Sequence, residues 1–271
     1  MIFVRDRGRM CNNILQYGHV YAWGREHGRK TVSMRFAYKY RYFHICETPW
    51  HNFPTYVFAK YAAKWKLIPT ITFDKAGADY RHEEQLMLKQ RLAVVEGWEA
   101  RWYDLFAKYI DEIRQLFAFH ESIERQVARK MATGEEAVLR LGLHIRRGDY
   151  QRWYGGRFFY TDEQYVHLID QFCSLHPDKR VAVYICGNDP KIDKDYYHRQ
   201  LPQCQVSFPN GNPGEDLCLL SHCDYLIGAP STFTLVAALY RDLPLYWIED
   251  AQTALTPDSF RRFDYLFRHL Y

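Results

Sequence analysis

The chain has 271 residues, of which 48% are hydrophobic and 25% charged, with a formal net charge of +4. That length holds one large domain or two modest ones, and the composition excludes a disordered, fibrous or membrane-embedded chain. No apolar run reaches the roughly 18 residues of a membrane span, and charge appears as early as Arg5, so neither a spanning helix nor a signal peptide is expected.

Ile2–Val4 reads as a short strand. Met10 to His27 reads as a helix, with Ile14, Leu15, Gly18, Tyr21 and Ala22 on one stripe and Gly28 where a C-terminal cap belongs. Thr31–Phe36 reads as a second strand, and Tyr56–Leu67 as a helix closed by Pro69. From Tyr80 to Met131 there is no Pro and only Gly97, which predicts one or more long helices broken near that glycine. Ala132-Thr133-Gly134-Glu135 is the first clear break and the expected domain junction, dividing the chain into 1–134 and 135–271.

After the junction the pattern alternates. Val138–Ile145, Val181–Cys186, Gln205–Phe208, Asp224–Ala229 and Leu243–Ile248 read as strands. Asp162–Leu175, Pro190–Leu201, Glu215–Cys223, Ser231–Tyr240 and Pro257–His269 read as helices. Such alternation implies a parallel sheet with helices on both faces, and such sheets bind ligands at the carboxyl ends of their strands.

The seven cysteines are odd in number, scattered and without a CxxC, so neither a disulfide framework nor a zinc knuckle is expected. Charge is unevenly spread: residues 1–70 hold 12 Lys/Arg against 3 Asp/Glu, a balance of +9, which leaves 24 against 29, or −5, for the rest. A basic first portion suits an anionic partner such as a phosphate or an anionic membrane surface, and equally a solvated basic face. The expected location is the cytoplasm, with peripheral contact to the inner face of the membrane. Nucleic acid is not expected, because no recognised module accompanies the charge.

Three strand ends carry chemistry. In His144-Ile145-Arg146-Arg147-Gly148-Asp149-Tyr150, alternation along the strand puts His144 and Arg146 on one face, so that Arg146 can grip phosphate oxygens. Arg147 turns to the apolar side and is expected to tie down its own loop through a carboxylate, with Asp149 the candidate. At the second, Asn188 and Asp189 can read a base edge or simply cap the helix begun by Pro190. At the third, Ser231 and Thr232 open a helix after Pro230, where hydroxyls, N–H groups and the positive dipole end make an anion site. Asp193-Lys194-Asp195 matches the DxD string of metal-dependent glycosyltransferases but falls inside an expected helix, so no metal site is assigned to it.

These residues resemble a known family. The string from His144 to Tyr150 resembles the HxRRGDY signature of glycosyltransferase family 11, the α-1,2-fucosyltransferases. Arg9 to Tyr17 resembles that family's opening GxLGNQMFQYA, with Cys11 and Asn13 as departures, and Asp216–Phe233 resembles its late segment. The resemblance implies a GT-B-like α/β fold of two Rossmann-like domains facing a cleft. The first would be the acceptor-side domain, carrying the long helical segment, and the second would bind the nucleotide sugar. It implies inverting, metal-independent transfer of L-fucose from GDP-β-L-fucose to a glycan hydroxyl, α-1,2 to galactose.

By the same resemblance Arg146 would grip the β-phosphate, Ser231 and Thr232 would add donors, and His144 would contact the nucleoside. Asn188 would stand where relatives read guanine with a carboxylate, and Asn12 would approach the phosphates from the first domain. Asp149 is the candidate base for the acceptor hydroxyl, with Asp162, Glu163 and Asp216 as alternatives. Another nucleotide-sugar donor, or a non-catalytic carbohydrate- or nucleotide-binding module, are the rival readings.

Overall fold

The computed structural model describes residues 1–132, 138–187 and 189–270. The chain divides into two compact units, Met1–His120 and Glu121–Tyr271.

In the first unit β1 (Ile2–Arg5), α1 (Met10–Glu26), β2 (Thr31–Ser33), α2 (Phe53–Lys64), β3 (Thr70–Thr72), α3 (Arg81–Lys89), β4 (Ala93–Glu96), α4 (Tyr103–Lys108) and α5 (Ile110–Leu116) follow in chain order. The four strands form a parallel sheet in the order β2-β1-β4-β3, with Ile2 in register with both Thr31 and Ala93. The helix expected over Met10–His27 is present, and Gly28 follows it with φ +62°.

The expected run of long helices after Tyr80 is corrected. It contains a strand, β4, which pairs with both β1 and β3 and buries Ala93, Val94 and Val95 without alternation, as internal parallel strands do. The helices around it are short. Gly97 marks the exit from β4 rather than a helix break: its φ is +116°, and a Cβ there would lie 2.2 Å from the Phe73 carbonyl oxygen.

The second unit runs α6 (Glu121–Met131), β5 (Val138–Ile145), α7 (Asp162–Leu175), β6 (Arg180–Gly187), α8 (Lys194–Gln200), β7 (Gln205–Ser207), α9 (Pro213–Ser221), β8 (Tyr225–Gly228), α10 (Thr232–Leu239), β9 (Leu245–Trp247) and α11 (Phe263–Arg268). Its five strands are parallel in the order β7-β6-β5-β8-β9. α6 packs on α9 and so belongs with this unit. The units therefore part at 120/121, whereas the junction expected at 132–135 falls mostly on residues outside the described ones.

One face of the second sheet is an apolar core. Leu141, Leu143 and Ile145 of β5 and Val181, Val183 and Ile185 of β6 bury against Tyr165, Leu168, Ile169 and Phe172 of α7. Each such side chain contributes roughly 1.5–3 kcal/mol on burial. α7 starts where its sequence says: Thr161 and Gln164 form a reciprocal capping box. α8 is shorter than expected because Asp193 caps it, accepting from the Tyr196 N–H at 3.0 Å; the DxD string is thus a helix start. The expected C-terminal helix is split by an antiparallel bridge between Arg261 and Leu245 before α11 begins. Among the described residues, no helix is long and apolar enough to cross a membrane.

Candidate active site

In the second sheet β6 lies on one side of β5 and β8 on the other. The helix after β5 packs on the leucine face, while α10, following β8, packs on the opposite face. The loops after β5 and β8 therefore flank a topological switch point, the place where open parallel sheets hold ligands.

His144, near the end of β5, points away from the leucine face. Its ring stacks on Phe233 in the first turn of α10, with centroids 4.6 Å apart and planes inclined by 17°. The ring is buried, and its Nδ1 has no hydrogen-bond partner among the described residues. Burial, reinforced by the Arg146 charge, lowers its pKa to about 3. It is therefore a neutral imidazole at neutral pH, able to give or accept a hydrogen bond but not to carry charge.

Past the strand, Gly148–Gln151 forms a 3₁₀ turn that folds the loop back on itself. This sets Asp149 against Arg146, with Nη2 2.8 Å from the carboxylate. The Arg146 guanidinium also lies 5.1 Å from the centre of the Tyr150 ring. The Tyr150 hydroxyl donates to the Pro230 carbonyl at 2.6 Å, binding the loop after β5 to the loop after β8. Tyr150 is thus the connecting residue, and the sequence reading assigns it no role. Its position in the quoted motif was the available signal.

Pro230 leads into Ser231, the N-cap of α10. The Ser231 hydroxyl accepts from the Thr234 N–H at 3.3 Å and stands 3.1 Å from Thr234 Oγ1, which in turn accepts from Trp247 Nε1 at 2.9 Å. The hydroxyl thus holds the helix start together. The start of α10, at Ser231 and Thr232, carries the positive end of the helix dipole.

The expected pairing of Arg147 with Asp149 is corrected. Arg147 is buried on the other side of the loop, where Nη2 lies 2.6 Å from Asp162 and Nη1 3.3 Å from Asp189, while Nε donates to the Tyr160 carbonyl at 3.1 Å. Desolvation lowers its pKa, but the two carboxylates outweigh it and the net shift is upward. Asp189 is consequently taken up by Arg147 and by the Lys191 N–H rather than by a base edge. Asn188 lies outside the described residues.

Among the alternative bases, Asp162 is engaged by Arg147 and by the Tyr197 hydroxyl at 2.8 Å. Glu163 sits in the first turn of α7, its pKa lowered chiefly by the Thr161 hydroxyl. Asp216 lies in the first turn of α9: burial raises its pKa to about 6 against the Lys130 charge and a hydrogen bond from Cys186, the register partner of His144. Asn12 lies in the first turn of α1, in the first unit, against Gly8. Among the described residues, His44, Glu47 and His120 in one unit and Glu124, Cys218 and His222 in the other have metal-compatible spacing. In the second unit His222 ends α9 just before β8 begins, at the opposite end of that strand from the loop leading to α10.

No protein-family model matches the chain. Curated relatives include galactoside α-(1,2)-fucosyltransferase 1 of Bos taurus, 27% identical over 176 residues, covering 59% of this chain and 47% of that protein. The Homo sapiens protein of the same name is 25% identical, covering 59% and 46%. The chain spans about half the length of the curated relatives it matches. Solved structures with the same fold include a mutant of Arabidopsis thaliana FUT1 in complex with GDP, with a TM-score of 0.65, 14% identity, and 96% of this chain and 73% of that one covered. POFUT1 in complex with GDP-fucose follows at a TM-score of 0.55, 11% identity, 89% and 93% covered. NodZ α-1,6-fucosyltransferase soaked with GDP-fucose has a TM-score of 0.52 at 13% identity, 90% and 94% covered. The chain is thus similar to α-(1,2)-fucosyltransferases in sequence over part of its length, and to solved fucosyltransferase structures in fold. The fold is accordingly α/β and GT-B-like, with two parallel sheets.

Proposed function

We propose that this chain transfers L-fucose from GDP-β-L-fucose to a sugar hydroxyl, with inversion at the anomeric carbon and α-1,2 linkage to galactose, and without a metal ion. One observation carries the reading. Arg146, Tyr150, Pro230 and the helix begun at Ser231 form one connected arrangement at the switch point of the second sheet.

As the bond between the fucose anomeric carbon and the β-phosphate oxygen breaks, the sugar gains oxocarbenium character and negative charge builds on GDP. A guanidinium and a helix N-terminus fixed near that oxygen stabilise the charge more in the transition state than in the ground state. Asp149, 2.8 Å from Arg146, is the carboxylate that would accept the proton of the attacking hydroxyl. His144, neutral and with Nδ1 unpartnered among the described residues, supplies a hydrogen bond to the nucleoside side of the donor.

The test is calorimetric titration with GDP, UDP and ADP, followed by transfer from GDP-fucose to galactose-terminated oligosaccharides with EDTA present. Selective GDP binding and EDTA-insensitive transfer are expected. Preference for UDP or ADP, or loss of transfer on chelation, contradicts the reading.

A further inference from the structure

We propose that the outer face of α2 and the turn after it form a docking surface for an anionic phospholipid membrane. At 100° per residue, α2 turns its small residues inward: Ala59 and Ala62 are its buried positions. Its solvent side carries Phe53, Phe58 and Tyr61, and is continued beyond the helix by Trp65 and Leu67. Phe53 is 57% exposed, Trp65 65% and Leu67 73%. A solvated helix ordinarily has the opposite pattern, with its apolar stripe inside. Contiguous exposed apolar patches mark interaction sites.

The charge among these rings identifies the occupant. Lys60 and Lys64 rise from the same helix with Lys66 just beyond, and Lys60 lies 5.5 Å from the Tyr61 ring centre. No Asp or Glu occurs between Glu47 and Asp74. Trp50, half exposed before the helix, lines a cavity of about 380 Å³ with Arg25, Arg29 and Lys30. Interfaces between proteins are enriched in aromatic residues but depleted in lysine. Two copies of this face set against each other would oppose lysine to lysine, which is costly. Tryptophan and tyrosine rings favour the headgroup level of a bilayer, and lysines are drawn to anionic lipid. A helix of about 18 Å lying flat on the surface satisfies both.

Flotation of the full chain with phosphatidylcholine vesicles, with and without about 30% phosphatidylglycerol, tests this. Binding to the anionic vesicles is expected, weak on phosphatidylcholine alone and reduced when salt is raised to about 0.5 M. Each lysine near the surface is worth about fivefold in partitioning, so Lys60→Gln/Lys64→Gln/Lys66→Gln should weaken binding on the order of 100-fold. Phe53→Ser/Trp65→Ser/Leu67→Ser should weaken it at any salt. All six side chains are exposed, and an unchanged circular dichroism spectrum will show that the folds are intact. Equal binding to both vesicle types, or binding untouched by either variant, overturns the proposal. So does concentration-dependent dimerisation, without vesicle binding, that the aromatic variant abolishes; that result would assign the face to a second copy.

Discussion

Arg146 and Arg147 are neighbours in sequence, yet the structure gives them separable thermodynamic roles. Arg147 has a side chain only 8% exposed, and its partners Asp162 and Asp189 are 16% and 17% exposed. Replacing it with alanine leaves two largely buried carboxylates without their cation. Breaking a buried pair of this kind costs about 3–5 kcal/mol. At 2–4 °C per kcal/mol for a unit of this size, the melting temperature should fall by roughly 6–20 °C. Arg146 pairs with Asp149, half exposed at 52%, and a pair of that kind is worth less than about 1 kcal/mol. Its alanine variant should therefore melt within a few degrees of the parent. Differential scanning fluorimetry of Arg146→Ala and Arg147→Ala, side by side at neutral pH, measures the contrast. Equal shifts, or a larger shift for Arg146→Ala, would refute the division of labour.

Tyr150→Phe keeps the ring beside Arg146 but strips the Pro230 carbonyl of its donor, so the second unit should lose about 1–3 kcal/mol. GDP affinity, measured by calorimetry below the melting point, should fall severalfold as the two loops part. Asp6 is buried beside Ser33, and desolvation raises its pKa to about 7 from the ordinary 3.8. The folded state thus binds this proton more tightly than the unfolded chain, and the stability it confers, full below about pH 4, is lost as pH rises through 7. Melting curves of Asp6→Asn against the parent between pH 4 and 8 should show a smaller decline with rising pH in the variant; parallel curves would contradict the assignment.

The second unit was largely legible in the sequence because its signals are long and local. β5 and α7 have the bounds that apolar alternation and the Thr161 cap imply. The first unit was less so. β3 and β4 are three and four residues long, and β4 sits among helix formers with no alternation to expose it. The strand-end pattern put His144 and Arg146 on one face, but partner choice depended on what the chain does later. A 3₁₀ turn hands Asp149 to Arg146, while the carboxylates that hold Arg147 come from 15 and 42 positions away. Tertiary pairs at that separation leave no local trace. Ser231 illustrates the converse: a hydroxyl at a helix start was expected to meet a ligand, and the helix itself engages it.

In the proposed reaction the Arg146 guanidinium, at the end of β5 and joined through Tyr150 to the loop before α10, takes the charge of a departing diphosphate. Steady-state turnover of GDP-fucose by purified, folded Arg146→Ala measures that role. Loss of one donor to a developing anion predicts a fall in kcat/KM of roughly 10²–10³ with melting temperature nearly unchanged. Near-parental kcat/KM in that variant would contradict it.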